Sequence, residues 1–198
     1  VGSEMCIRDS IMIDKMVGKT EVALYGLAYS IGMLVQLFIS GMNSALTPWM
    51  YSKIKKGDIR SMRKVLQLLS IVVVGIAVAL MLISPELVLI FGSPKYREAV
   101  YVIPPVAASV FFIFIYNILS MPQFYYEKTQ FLMAASMAAA GANVVLNFIF
   151  IRLFGYIAAG YTTLACYMLY SVGHYIVSKR ILAVSYTHLR AHETGAYL

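Results

Sequence analysis

The side chains able to do chemistry in this chain are few, and they stand in or at the ends of long apolar stretches. Asp14 and Lys15 are adjacent, so on a helix they point about 100° apart and do not pair directly. They read as a charged contact near one end of the bundle or as an interfacial loop pair. Arg152 closes an apolar run; its guanidinium can match a phosphate bidentately, or it can snorkel to the interface. Asn143 and Asn147 share a helix face at i and i+4, where amides bond either a ligand hydroxyl or a neighbouring helix. Gln36, Asn43, Gln67 and Asn117 are weaker candidates of the same kind. His174 could titrate in ion coupling, although a histidine among tyrosines near a helix end reads more simply as interfacial. General acid–base catalysis needs positioned carboxylates or histidines. The segment offers no carboxylate pair and no metal-spaced cluster, so neither an enzyme nor a cofactor or metal site is expected.

The two ends differ from the chain between them. Residues 1–10 (VGSEMCIRDS) and 184–198 (VSYTHLRAHETGAYL) are polar. The first can be written as GTG GGC TCG GAG ATG TGT ATA AGA GAC AG. The reverse complement of that DNA encodes Val184 to His192 without a mismatch. Unrelated protein ends have no physical reason to be reverse complements, and the DNA resembles a sequencing-library adapter. Both ends are therefore expected to be non-native and are set aside. The natural segment is taken as 11–183, a piece of a longer protein. Cys6, His188 and His192 fall in the tails, which leaves Cys166 and His174 as its one cysteine and one histidine. A disulfide framework is excluded.

The elements that must hold these side chains are membrane helices. The chain is 61% hydrophobic and 13% charged, with mean hydropathy +0.77. Soluble domains carry about 25% charged residues. A bilayer core needs about 20 mostly apolar residues per helix, and in lipid such runs must be helical. Five runs qualify: Val22 to about Pro48, Val65–Ile83, Val100–Met121, Phe131–Ile151 and Tyr156–Val177. Ile11–Met16 reads as the end of an earlier helix. The expected fold is all-α, a polytopic membrane helix bundle whose consecutive members are antiparallel. Ser84-Pro85-Glu86 predicts a short helix over 85–91, with Ser84 as its cap. Pro104 and Pro105 either break the third run or occupy its first turn. Ala134, Ala138 and Ala142, with Gly141 beside them, suggest a close-packing face on the fourth.

Loop charge predicts the orientation. Between Tyr51 and Lys64 stand Lys53, Lys55, Lys56, Arg60, Arg63 and Lys64 against Asp58 alone. Basic residues concentrate in cytoplasmic loops, so residues 51–64 are placed inside. Lys128, Lys179 and Arg180 follow by alternation. Lys15, Lys19, Lys95, Arg97 and Arg152 fall outside, giving nine basic residues inside against five. A basic loop also suits nucleic acid or anionic lipid, but in a membrane chain topology explains it and no nucleic-acid partner is expected.

Three stretches carry a resemblance: IMIDKMVGKTEVALYGLAYSIG, SPELVLIFGSPKYREAVYVIPPVA and NVVLNFIFIRLFGYIAAGYTTLACYMLY. In order and spacing they resemble the C-terminal half of Wzx-type polysaccharide (O-antigen) flippases, in the superfamily that includes the MATE multidrug exporters. Asp14, Lys15, Glu21, Tyr25 and Tyr29 match the first segment. Asn143, Asn147, Gly155, Ala158, Ala159, Gly160 and Thr163 match the last, with Tyr161 interrupting the usual alanine-rich turn. The resemblance implies one of two pseudo-symmetric bundles around a central cavity. It implies a lipid-linked oligosaccharide moved between leaflets of the bacterial inner membrane by alternating access, for lipopolysaccharide or other surface polysaccharide. Asp14, Lys15, Asn143, Asn147 and Arg152 become the candidate substrate contacts. The implied partners are the bilayer, that substrate and the missing N-terminal half. The alternatives are a multidrug or cation antiporter, a peptidoglycan-precursor flippase, a membrane-embedded polysaccharide enzyme and a purely structural partner. A cation exporter would be expected to use intramembrane carboxylates, and Asp14 and Glu21 sit near helix ends.

Overall fold

A computed structural model describes the backbone of residues 2–195 and the side chains of residues 4–182. Among the described residues there are seven α-helices, one 3-10 helix and no strand. Helix α1 is Gly2–Met16, α2 Lys19–Lys55, α3 Ile59–Leu82 and α4 Ser84–Phe91. A 3-10 helix, Pro94–Tyr101, leads into α5 (Ile103–Tyr125), followed by α6 (Thr129–Phe154) and α7 (Ile157–Gly195). Four of them, α2, α3, α5 and α6, are long and apolar enough to cross a membrane. The fifth expected run, Tyr156–Val177, lies in α7 except for Tyr156, which stands in the turn before it. The all-α polytopic bundle expected from the apolar runs is what the chain forms.

Several boundaries differ from those read in the sequence. The chain stays helical from Gly2 through the adapter-like residues to Met16, and α1 ends at the Val17–Gly18 turn. The side chains of the C-terminal tail lie outside the described residues. Helix α2 continues through Pro48 to Lys55. Pro104 and Pro105 fall in the first turn of α5, where the missing N–H has no intrahelical partner to lose. Ser84 is not the cap expected of it: its Oγ donates back to the Met81 carbonyl at 2.8 Å, and α4 starts without a side-chain cap.

Helix α5 sits at the centre. In its most apolar window 56% of residues are buried, against 17% for α3, so α5 is enclosed by neighbours while α3 faces outward. Val106 and Ile103 pack with Tyr25 and Tyr29 of α2. Phe114 and Ile118 pack with Ile39 and Met50 further along α2 and with Val73 of α3. Ile113 meets Ala139 of α6 and Tyr167 of α7. Between helices in lipid the hydrophobic effect offers little, so close packing and interhelical hydrogen bonds decide association. Two glycines show how close the backbones come. A Cβ at Gly32 would overlap Val106 Cγ1, and one at Gly160 would stand 3.0 Å from Pro105 Cγ.

The small-residue face expected on α6 is not the packed one. Ala134, Ala138 and Gly141 are exposed and only Ala142 of that face is packed against the core, while Ala139, Asn143, Asn147 and Ile151 face inward. This buried ladder runs at four-residue spacing. Its two amides fix the helix rotation, because an unpaired amide toward lipid costs more than an exposed alanine.

Candidate functional site

Near one end of the bundle four helices place polar side chains against each other. Asn147 lies about two turns before the end of α6, and Thr162 and Thr163 stand in the early turns of α7. Tyr25 comes from the second turn of α2, and Asp9 from α1. All five, with Asn143, are buried. Such a cluster survives in an apolar interior only if its members satisfy one another.

The geometry shows how they do. Tyr25 OH donates to Asp9 Oδ2 at 2.6 Å, and Thr163 Oγ1 donates to the same oxygen at 2.7 Å. Asn147 Nδ2 donates to Asp9 Oδ1 at 2.6 Å and its Oδ1 accepts from Thr162 Oγ1. Asn143 Nδ2 donates to Thr163 Oγ1 at 3.0 Å. The Asp9 carboxyl thus takes three donors from three helices and, among the described residues, makes no ion pair. Asn143 Oδ1 is buried without a hydrogen-bond partner. The arrangement can hold α6 and α7 to α1 and α2, and it can bind a proton or cation at the carboxyl. Among the described residues no group of three His, Cys, Asp or Glu could hold a metal ion.

The structure brings together two of the five residues singled out in the sequence. Asn143 and Asn147 are the α6 members of the cluster. Asp14 and Lys15 are exposed on α1, outside it. Arg152 is exposed too, its guanidinium 3.9 Å from the centre of the Phe148 ring, one turn back on the same helix. Thr162 carried no signal of its own, since a threonine in a helix reads equally well as packing. Asp9 was set aside with the adapter-like residues. His174 is a correction: expected at the interface, it is buried between α5 and α7. Its Nδ1 lies 2.8 Å from Gln123 Nε2, which also donates to Ser178 Oγ at 3.0 Å. Tyr170 meets the imidazole edge to face at 4.4 Å. The signal for this burial was the spacing Tyr167, Tyr170, Ser171, His174, Ser178, one helical face of α7.

Arg60, Arg63 and Lys179 lie together with Asp58 at one end of the bundle, and at the other Tyr156 OH donates to the Glu98 backbone carbonyl at 3.4 Å. Across the turn from α2 to α3, Lys53 Nζ in the last turn of α2 donates to Asp58 Oδ2 at 2.6 Å, and Asp58 Oδ1 accepts from the Ser61 N–H at 3.1 Å. The lysine bond first, then the cap, hold the Asp58 carboxyl down at about 2.

Residues 5–149, well over half of the chain, match the model of the MatE family. A Haemophilus influenzae protein described as an uncharacterized membrane protein is 31% identical over 130 residues, which cover 62% of this chain and 31% of that protein. The chain therefore spans about a third of the length of the curated relative it matches. No solved structure matches.

Proposed function

Since the chain belongs to the MatE family, we propose that it is part of a membrane transporter, and specifically of a flippase for a lipid-linked oligosaccharide. Residues 11–183 are the natural half-bundle in this reading, and residues 1–10 and 184–198 are translated adapter. The missing half completes a central cavity, and the two halves rock between inward- and outward-open states. The end carrying residues 51–64 and 179–180 faces the cytoplasm.

The observation that carries the choice of substrate class is the nature of the buried polar groups. Within 11–183 the buried cluster holds amides and hydroxyls (Asn143, Asn147, Thr162, Thr163, Tyr25) and no carboxylate. Neutral donors and acceptors suit a sugar-bearing headgroup or the joints between helices. A cation exporter needs intramembrane charge. In this account Asn143 and Asn147 hold α6 against α7, so that the wall moves as one body. Arg152 is an interfacial anchor stacked on Phe148.

A second reading rests on Asp9. If that residue is natural, the cluster contains a buried carboxyl with three donors, and a cation- or proton-coupled antiporter gains the acidic group it requires. The complete gene, recovered with its neighbouring DNA, separates the two. Expressed in a strain lacking its own flippase, it should restore surface glycan. Restoration of dye efflux without surface glycan would refute the flippase reading.

A further inference from the structure

At the end of the bundle opposite the polar cluster, the loop between α2 and α3 meets residues 175–182 of α7. A cavity of about 630 Å³ opens there, with Leu119 and Leu182 among its apolar lining. Three cations line it: Arg60, Arg63 and Lys179. None of them makes an ion pair among the described residues, because Asp58, the acid beside them, is engaged by Lys53. A second groove, of about 580 Å³, shares Ile59, Arg63 and Leu182 with the first. It follows α3 past Met62 and Leu66 to Ser70 and Ile71.

The dimensions suit one kind of molecule. From Arg60 to Ile71 the helix rises roughly 16 Å, and half of a bilayer's hydrocarbon core is about 15 Å. A cationic mouth at the level of the headgroups therefore continues into an apolar channel one leaflet deep. A nucleic acid would fill the mouth and leave the channel empty. A free phosphate would do the same. A neutral lipid would fill the channel and leave three cations unanswered. Cationic pockets between membrane helices recruit anionic headgroups for this reason.

We propose that the cleft between α3 and α7 binds one anionic glycerophospholipid of the surrounding leaflet. Its phosphate lies among Arg60, Arg63 and Lys179, and one acyl chain lies along Met62, Leu66 and Ile71. The site is separate from the polar cluster of α6 and α7, and its ligand is a resident lipid that is not transported. It joins the α2–α3 loop to α7 from outside the bundle.

The test is native mass spectrometry of the full chain from neutral detergent, with dioleoyl phosphatidylglycerol or dioleoyl phosphatidylcholine added. Phosphatidylglycerol should be retained about tenfold better. The triple change Arg60→Gln, Arg63→Gln, Lys179→Gln should bring it down to the phosphatidylcholine level. Lys55→Gln with Lys56→Gln, on the same loop but outside the cleft, should leave it unchanged. Ser70→Phe, which blocks the channel, should weaken dioleoyl but not dihexanoyl phosphatidylglycerol. If the triple variant loses its helical circular dichroism, Arg63→Gln alone is compared with Lys55→Gln. Equal retention of the two lipids would overturn the proposal. So would an equal effect of the two lysine changes and the cleft changes, displacement by inorganic phosphate, or preference for a polyprenyl diphosphate over phosphatidylglycerol.

Discussion

The bond between Asn143 and Thr163 offers the most direct probe of how α6 is held to α7. Asn143 Nδ2 donates to Thr163 Oγ1 at 3.0 Å, and both side chains are buried. Thr163→Val keeps the shape of the side chain and removes the hydroxyl. Asn143, whose Oδ1 already lacks a partner, would then also lose the hydroxyl to which its Nδ2 donates. Leaving such a group unsatisfied costs about 1–3 kcal/mol. Thr163→Val also removes the bond to Asp9 Oδ2, so its total effect mixes two losses. A double-mutant cycle with Asn143→Leu removes the ambiguity, because the Asp9 term is lost equally in the single and double variants and cancels. Interhelical hydrogen bonds in membrane proteins couple by about 0.6 kcal/mol on average and by about 1.7 at most. A bond this buried belongs in the upper half of that range, so the coupling should be about 1 kcal/mol. The assay is equilibrium unfolding of the four chains in mixed micelles of sodium dodecyl sulfate, followed by helical circular dichroism. Independent sites add to within about 0.3–0.5 kcal/mol. A coupling below about 0.3 kcal/mol would show that the two side chains do not share a bond, and the polar cluster would lose its role as the joint between the helices.

Other predictions rest on separate features. Gly32→Val should cost about 1–3 kcal/mol through overlap with Val106, while Gly41→Ala, with open space around it, should be neutral or stabilising by up to about 1 kcal/mol; thermal unfolding in detergent compares the two. Arg152→Gln and Phe148→Leu should each lower stability by about 0.5–1 kcal/mol and should not add, since they remove the same ring contact. Full additivity in the same unfolding assay would contradict that contact. Because the folded Asp58 carboxyl lies below its ordinary value of 3.8, at about 2, its contribution is complete above pH about 4 and is lost as the pH falls toward 2. A carboxyl carbon-13 titration should put its midpoint near 2 in the chain and higher in the Lys53→Ala variant, though still below 3.8 because the Ser61 N–H bond remains, and a midpoint that does not move would contradict the assignment.

How far the sequence disclosed this molecule depended on which physical signal each feature left. The spanning helices were legible because lipid imposes length and apolarity on every run, as Val65–Ile83 shows without a single charge. Pro104 and Pro105 were ambiguous, since proline suits a first turn and a kink equally, and only the preceding 3-10 helix decides between them. The rotation of α6 was misread from its alanines, because small residues permit close packing without requiring it, whereas Asn143 and Asn147 require partners. A third of the candidate site, the two asparagines, was visible in their i, i+4 spacing. Thr162, Thr163 and Tyr25 became its members only when α7 and α2 were folded against them. His174 reads as interfacial because its tyrosine neighbours suit an aromatic belt, and only the fold brings Gln123, 51 positions earlier, to it.

The central claim is that the outward faces of these helices are solvated by lipid while the interior polar cluster joins them. Spin labels introduced one at a time at Leu68, Val78 and Leu82 of α3, all exposed apolar positions, and at Lys56 of the basic loop measure this in vesicles, with Cys6 and Cys166 replaced by alanine. The three α3 labels should collide readily with oxygen and hardly with a water-soluble nickel chelate, and the Lys56 label should show the reverse. High nickel accessibility at Leu68, Val78 and Leu82 would mean that water, not lipid, covers that face, and the membrane-bundle account would be wrong.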